Sequence, residues 1–349
     1  RDGARVLAAG GNSNSGNANM TVDVSSACAS LIMSGTYAGT WTFNDFLSLT
    51  STCTFLSGCT IAGTAGTLYL ASGSGTWTSA GKTLTCNFRL EGNTTCTLGD
   101  NWTVNGLVSV GGGTLQTVNG NQITCAGGLR KLSTQNVAGT TKFVLTGGTW
   151  DSTGSAQIQN SVDLAGNVTV SGTVNWGASG KTLTYVSGTI TVAGSTLLCQ
   201  NICSLNTTGM TWNNLTLDGA VTYTLSSNLA WSGTFAISNV AIFAGAGTLS
   251  GTGAVTVTGS SLTLNNTGGL VTTGTLSLPD APCTFAGSAG FTVGTLRTVS
   301  LTASRIHTLT FGNTYTVTAS VLNNGTSATI RQALKSSSAG NKVVFTLQA

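Results

Sequence analysis

Short runs that alternate apolar with small polar residues, each ended by glycine, most constrain how this chain can fold. The stretch from Leu164 to Thr196 contains Val168-Thr169-Val170 and Thr189-Ile190-Thr191-Val192, and a glycine follows each run closely. Alternation with a period of two predicts strands with one buried and one exposed face, and runs this short leave no room for helices. The same pattern recurs along the chain from Thr21 onward, so we predict an all-β protein.

The composition supports a folded body. Charged residues make up 6% of the chain, against roughly 25% in an average globular protein, yet 40% of the residues are hydrophobic. This apolar content is large enough to form a buried core, which argues against disorder. No apolar window approaches the roughly 18 residues that span a bilayer, so we expect no membrane insertion. The first residues show neither an initiating Met nor a signal peptide, and we expect a processed chain or a piece of a longer one.

Internal similarity indicates stacked coils. The segment Gly75–Thr85 returns, slightly lengthened, as Gly172–Thr184, and both contain Gly-Lys-Thr-Leu-Thr. Short strands with glycine corners and degenerate repetition are typical of solenoids. The chain contains only 2 prolines, as expected where interior strands use every N–H. We therefore predict a single-stranded right-handed parallel β-helix with irregular coils of roughly twenty residues.

An antiparallel β-sandwich array is the alternative fold. It should contain tight hairpins, for which Asn-Gly and Asp-Gly are the usual turn residues. Such pairs occur at Asn105-Gly106, Asn119-Gly120, Asp218-Gly219 and Asn324-Gly325. The repeats and the scarcity of proline favour the solenoid over this alternative.

Three segments are expected along the chain. Residues 1–20 are predicted to form an N-terminal arm or first corner, residues 21–296 the solenoid body, and residues 297–349 basic C-terminal coils with a cap. From Ala281 to Ala349 there is no acidic residue and there are five basic ones, namely Arg297, Arg305, Arg331, Lys335 and Lys342. We interpret them as a charged cap on a neutral solenoid, with a docking face for an acidic partner as the alternative. These scattered bases lack an aromatic platform, so we do not expect nucleic acid as a partner.

The last fifty residues carry a family resemblance. Leu309–Thr318 reads LTFGNTYTVT, and it is followed by Asn324-Gly325-Thr326 and then by Leu334–Gly340, LKSSSAG. This order resembles the Gly/Thr/Ser-rich parallel β-helix proteins of tailed phages and of environmental bacterial surfaces. The resemblance implies a virion appendage or an extracellular adhesin, and it transfers no catalytic residue.

Catalysis is not expected from these residues. A polysaccharide-cleaving β-helix needs two or three carboxylates, or a carboxylate with a base, that converge on one face. The nine acidic residues are scattered; Asp151 with Asp163 and Glu91 with Asp100 are the pairs that could stack. The single histidine, His307, is expected at the surface or in an end cap. We predict no catalytic site and no cofactor.

Nine cysteines are the remaining candidates for chemistry. Without a CxxC pair and with one histidine, they do not suggest a zinc or other metal site. Alternation places Cys86 and Cys125 in inward-facing strand positions, so we interpret most cysteines as buried thiols. A disulfide is the alternative, and Cys53 with Cys59 is the first pair to test.

These patterns predict a non-catalytic structural protein. We expect a rigid rod in a phage fibre, spike or surface decoration, located on a virion or outside the cell. A bacterial or archaeal adhesin or filament subunit is the alternative, and a polysaccharide-degrading enzyme comes third. Expected partners are further copies of the chain, other virion or surface proteins, and host glycans.

Overall fold

In the computed structural model the chain is all-β, and its parallel strands stack as a β-solenoid of about 13 turns. The structure describes residues 19–33, 37–71, 73–91, 94–111, 116–132, 135–152, 156–300, 304–325, 332–339 and 344–347. None of these residues lies in a helix, and hence the described part contains no helix suited to crossing a membrane. Residues 1–18 of the predicted arm lie outside the described ranges, and the first strand begins at Met20.

The described strand pairs are parallel, so the antiparallel sandwich is wrong. The Asn-Gly and Asp-Gly pairs expected in hairpins instead lie at solenoid corners and strand ends. Asn105-Gly106 joins two strands of different sheets. A Cβ at Gly106 would lie 2.4 Å from the carbonyl oxygen of Cys86, on the preceding coil. These glycines therefore permit close stacking of coils rather than a hairpin turn.

The chain divides into two compact units. Unit 1 comprises residues 1–175 and 186–191, and unit 2 comprises residues 176–185 and 192–349. Each unit is a stack of coils in which the chain visits its sheets in turn. The strands β23 (Thr173–Trp176) and β24 (Lys181–Ser187) contain residues of both units.

Unit 1 contains four sheets. The first sheet consists of β1 (Met20–Val22), β4 (Thr40–Phe43) and β7 (Thr60–Ala62). The strands of the second that belong to unit 1 are β10 (Thr83–Leu84), β13 (Trp102–Val104), β16 (Gln122–Cys125), β19 (Lys142–Leu145) and β21 (Val162–Ala165). The third consists of β2 (Ser26–Cys28), β5 (Phe46–Leu49), β8 (Thr67–Leu70), β11 (Asn87–Leu90), β14 (Val108–Val110), β17 (Gly128–Lys131), β20 (Thr149–Ser152), β22 (Val168–Val170) and β25 (Ile190–Thr191). The fourth consists of β3 (Leu31–Ile32), β6 (Cys53–Thr54), β9 (Gly73–Thr78), β12 (Thr94–Leu98), β15 (Gln116–Gly120) and β18 (Val137–Ala138).

Unit 2 continues the same plan with longer strands towards its last coils. One sheet contains β24 with β27 (Cys203–Asn206), β30 (Thr222–Leu225), β33 (Val240–Gly245), β36 (Ser261–Asn266), β38 (Thr284–Gly287), β40 (Arg305–Leu309) and β42 (Gln332–Ser336). A second set contains β26 (Thr196–Cys199), β29 (Asn214–Asp218), β32 (Phe235–Ser238) and β35 (Val255–Val257), and a third contains β28 (Thr211–Trp212), β31 (Leu229–Trp231) and β34 (Leu249–Gly251). Both sets pair with β37 (Leu270–Leu278), which is followed by β39 (Phe291–Ser300), β41 (Thr314–Gly325) and β43 (Val344–Leu347).

The coils are irregular in length, as predicted. Residues paired on successive coils lie 18 apart in sequence at Thr196 and Asn214, 21 apart at Met20 and Trp41, and 30 apart at Thr314 and Val344. Inward side chains nevertheless form rows along each sheet, although the register shifts within the β37–β39 and β39–β41 pairs. The right-handedness of the coil stays a prediction.

The interior of each coil is filled by these inward rows. All seven tryptophans are buried, with at most 1% of each side chain exposed. In unit 1, Phe88 and Trp102 stack with ring centroids 5.2 Å apart, and Trp77 lies 6.0 Å from Trp102. In unit 2, Trp231 and Phe235 have centroids 4.8 Å apart. Burial of every tryptophan removes these side chains as surface platforms for sugars.

Asparagine side chains connect successive coils at the corners. In each case the side-chain oxygen accepts a hydrogen bond from a backbone N–H of the next coil: Asn87 from Leu107, Asn119 from Thr140, Asn167 from Thr189, Asn214 from Thr234 and Asn228 from Thr248. The bonds span 20 to 22 residues of sequence. These side chains satisfy corner N–H groups that lie outside the sheet ladders.

Candidate binding surfaces

The carboxylates that could have stacked lie on different sheets. Asp151 is in β20 and Asp163 in β21, which belong to separate sheets. Each instead binds a base one coil earlier. Asp151 is the direct strand partner of Arg130, whereas Asp163 is paired with Val144 and reaches Lys142 diagonally. The Nε–H of Arg130 is shared between the two carboxylate oxygens of Asp151 at 3.0 and 3.1 Å, and its Nη2 donates to one of them at 3.0 Å. The Nζ of Lys142 donates to Asp163 at 2.9 Å.

The second pair is also separated. Glu91 follows β11 and Asp100 follows β12, so the two acids lie after strands of different sheets. Asp100 accepts a hydrogen bond from the backbone N–H of Ser79 at 2.7 Å. Neither predicted pair therefore forms the two-carboxylate arrangement of a glycosidase.

Glu91 instead belongs to a charged row on the outward face of the third sheet of unit 1. It accepts a hydrogen bond from the hydroxyl of Tyr69 at 3.0 Å and another from the Nε of Arg89 at 2.6 Å. The Arg89 guanidinium carbon also lies 5.3 Å from the Tyr69 ring centroid. Burial, followed by the contact with Glu91, raises the pKa of Tyr69. Arg130 and Asp151 extend the row on later strands, and each base in it is matched by an acid.

The predicted basic docking residues do not share one environment. Arg297 is exposed on β39, whereas Arg305 and Lys335 lie on the neighbouring strands β40 and β42 of another sheet. Arg305 forms an ion pair at 3.2 Å with Asp280, the residue just before the acid-free segment. Arg331 and Lys342 lie outside the described residues. Whether the basic residues dock a partner stays a prediction.

His307 is completely buried in β40, so the expected surface position is wrong, whereas the alternative, a place in an end cap, stays a prediction. The strand alternates, and His307 faces inward like Leu309 two residues later. Its outward neighbour, Ile306, is 50% exposed instead.

The interpretation of most cysteines as buried thiols is confirmed. Eight of the nine are buried and Cys28 is half-buried. Burial raises the pKa of Cys86 to about 11 and that of Cys96 to about 12. Cys53 and Cys59 both carry free thiols in the structure. Among the described residues, no three His, Cys, Asp or Glu side chains are grouped to hold a metal ion.

A buried lysine is a feature that the sequence reasoning missed. Lys131 ends β17 and has no exposed surface. A Cβ on Gly111 would lie 2.9 Å from its Nζ, so the missing side chain of this glycine makes room for the ammonium group. Burial lowers the pKa of Lys131 to about 8. The alternation of β17 indicates this position, because Lys131 lies two residues after the inward-facing Leu129 and therefore points the same way.

We expect Lys131→Met to stabilise the protein at neutral pH. Below about pH 8 the amine is charged in both the folded and the unfolded chain, and the folded chain bears the cost of burying it. Above that pH the folded chain releases the proton first, so this cost disappears as the pH rises towards the ordinary lysine pKa of about 10.4. Thermal unfolding followed by circular dichroism should show a Tm gain of roughly 3 °C or more at pH 7 and a smaller gain at pH 9.5.

Lys335→Met, at an exposed position, is the control for Lys131→Met. It should change the Tm little at either pH. A loss of stability in Lys131→Met at both pH values would contradict the expectation, since it would mean that contacts of the ammonium outweigh the cost of its burial.

An open groove of about 380 Å³ lies over three stacked corners of unit 2. Thr267, Ser288 and Thr314 present exposed hydroxyl groups, one from each corner. The side-chain nitrogen of Asn313 donates hydrogen bonds to the carbonyl oxygens of Gly287 and Ala289, both at 3.0 Å, and thus ties two of the corners together. None of the described residues that line the groove is charged.

An exposed aromatic residue immediately precedes the groove lining along the chain. Phe311, which is 48% exposed, precedes Gly312 in the groove lining, and Val271 adds a partly exposed apolar side chain. Hydroxyl groups beside an apolar ring can accommodate a neutral ligand that has both polar edges and an apolar face. Sequence reasoning did not single out Phe311, because its exposure depends on the corner that precedes β41.

Comparison of the chain with protein-family models, curated proteins and solved structures finds no match.

Proposed function

We propose that this chain is a non-catalytic structural element of a virion appendage, such as a phage fibre, spike or surface decoration. The parallel solenoid supports the proposal most directly. Interior strands are hydrogen-bonded on both sides, and core rows run from coil to coil. Such an arrangement gives each unit a stiff body that can carry exposed side chains at regular intervals. A bacterial or archaeal surface adhesin would use the same properties.

We also propose that the groove contacts host glycans weakly. Its uncharged lining of hydroxyl groups, together with the ring of Phe311, supports a neutral saccharide as the ligand. A single weak site becomes effective when several copies act together, because the second contact is then intramolecular. The proposed partners are accordingly other copies of the chain or other surface proteins, together with glycans on the host.

The location can be tested with antibodies raised against the purified chain. Immunogold electron microscopy of the producing culture should label free virus-like particles, at their tails or surface. Label confined to the cell envelope would reject the virion proposal in favour of the adhesin. Label confined to the cell interior would reject both.

The glycan contact can be tested by binding to immobilised neutral polysaccharides. Phe311→Ala should weaken binding about fivefold, as expected for losing roughly 1 kcal/mol of ring contact. Ile306→Ala is the matched control, because Ile306 is 50% exposed but lies outside the groove lining. Equal binding by both variants would exclude Phe311 from the glycan contact and reject the proposed ring contact.

The non-catalytic role has its own test. Incubation with capsular and extracellular polysaccharides should produce neither new reducing ends nor unsaturated sugars. Cleavage that persists after repeated purification would overturn this part of the proposal and leave the solenoid as the scaffold of an enzyme.

A further inference from the structure

Two buried cysteines flank a single corner of unit 2. Cys199 is the last residue of β26 and Cys203 is the first residue of β27, with three residues between them. Their exposed fractions are 0% and 2%. The corner turns the chain from one sheet to the next, so that inward side chains at its two ends converge on the same part of the core.

Both side chains occupy inward, buried positions at the two ends of one three-residue connection. A hydrogen bond with the Cys203 side chain, followed by burial, raises the pKa of Cys199 well above the usual value for a thiol. Residues of neighbouring segments lie against both cysteines. Tyr223, on the following coil, is the strand partner of Cys203. Its hydroxyl donates a hydrogen bond to the carbonyl oxygen of Cys199 at 3.2 Å. A Cβ on Gly177 would lie 3.9 Å from the sulfur of Cys203.

We propose that Cys199 and Cys203 form a disulfide when the chain folds in an oxidising compartment. The bond would close a five-residue ring around the corner and join the ends of two sheets. For the other candidate pair, Cys53 and Cys59, the partner is less certain to be unique, since Cys96, Cys28 and Cys86 also lie near the buried Cys53. The proposal goes beyond the structural role and does not depend on glycan binding.

The oxidant is a small disulfide such as oxidised glutathione. One cysteine thiolate attacks the oxidant, forms a mixed disulfide and releases one glutathione thiol. The second cysteine then attacks the protein-bound sulfur and releases the other glutathione. The two cysteines lose two protons and two electrons in total, and the oxidant becomes two thiols. Since the thiolate is the reacting species and burial suppresses it, the bond forms while the corner is still accessible during folding.

The test is refolding of the full chain in a glutathione redox buffer. Thiols that remain free are alkylated under denaturing conditions, and the digested protein is mapped by mass spectrometry. We expect Cys199 and Cys203 to appear in one unalkylated species that is lighter by two hydrogen atoms. Cys199→Ser and Cys203→Ser should each abolish this species and leave the partner thiol alkylated.

Two further measurements complete the design. Cys59→Ser, matched in chemistry but distant in sequence, should keep the Cys199–Cys203 species. Reduction of the disulfide should lower the Tm of the wild-type chain by a few degrees. The same treatment should leave the Tm of Cys199→Ser unchanged. Alkylation of all nine cysteines in the refolded wild-type chain, or a bond from Cys199 to any other cysteine, would overturn the proposal, and neither result needs a variant that folds.

Discussion

Replacing Gly245 with alanine is expected to cost about 3 kcal/mol or more of folding free energy. Gly245 has a φ of +102° at the end of β33, a conformation that costs a non-glycine residue about 1–3 kcal/mol. An added Cβ would also lie 2.4 Å from the carbonyl oxygen of Leu225 on the preceding coil. That atom belongs to the backbone ladder and cannot move aside cheaply, which adds about 1–3 kcal/mol of overpacking.

Gly180→Ala separates the two contributions to the cost at Gly245. Gly180 also has a positive φ of +71°, but no atom lies within 4 Å of a Cβ added there. Its substitution should therefore cost only the backbone strain, about 1–2 kcal/mol. Urea unfolding followed by circular dichroism measures both variants. Equal losses would mean that the close approach of the coils at Gly245 contributes nothing, and would contradict the stacking described here.

Truncation of Trp102 to alanine is the second large effect. The side chain is completely buried, and its rings lie between those of Phe55, Trp77 and Phe88, with centroids 5.2–6.0 Å away. Removing a buried tryptophan usually costs about 3–5 kcal/mol, because the lost contacts leave a cavity. The backbone of neighbouring coils cannot collapse into it without breaking ladder hydrogen bonds. We expect a large fall in the urea midpoint for Trp102→Ala.

Trp102→Phe and Ile306→Ala serve as references for the Trp102 truncation. Trp102→Phe keeps most of the ring contacts and should lose less than half of the stability lost by Trp102→Ala. Ile306→Ala removes an exposed side chain and should change the midpoint little. If Trp102→Ala were no more damaging than Ile306→Ala, the aromatic cluster could not be the core of these coils.

The contacts of the candidate site could be predicted from the sequence only in part. Arg130 and Asp151 lie 21 residues apart, which is close to the expected length of one coil, but the irregular coil lengths leave several other partners at a similar spacing. The inward position of Lys131 was readable from alternation, whereas its hydrophilic side chain argued for the surface. Alternation likewise gives His307 the same inward position as Leu309. The groove beside Phe311 was not readable at all, because three corners from separate coils build it.

The sequence by itself determined the all-β class, the corners and the inward rows, because alternation and glycine act over a few neighbouring residues. Only the tertiary structure decided which coils meet. Coils of 18 to 30 residues bring together side chains whose separation in sequence varies from turn to turn. The ion pairs between coils, the surroundings of the buried lysine and the groove all depend on that register, which follows from packing across coils rather than from any local pattern.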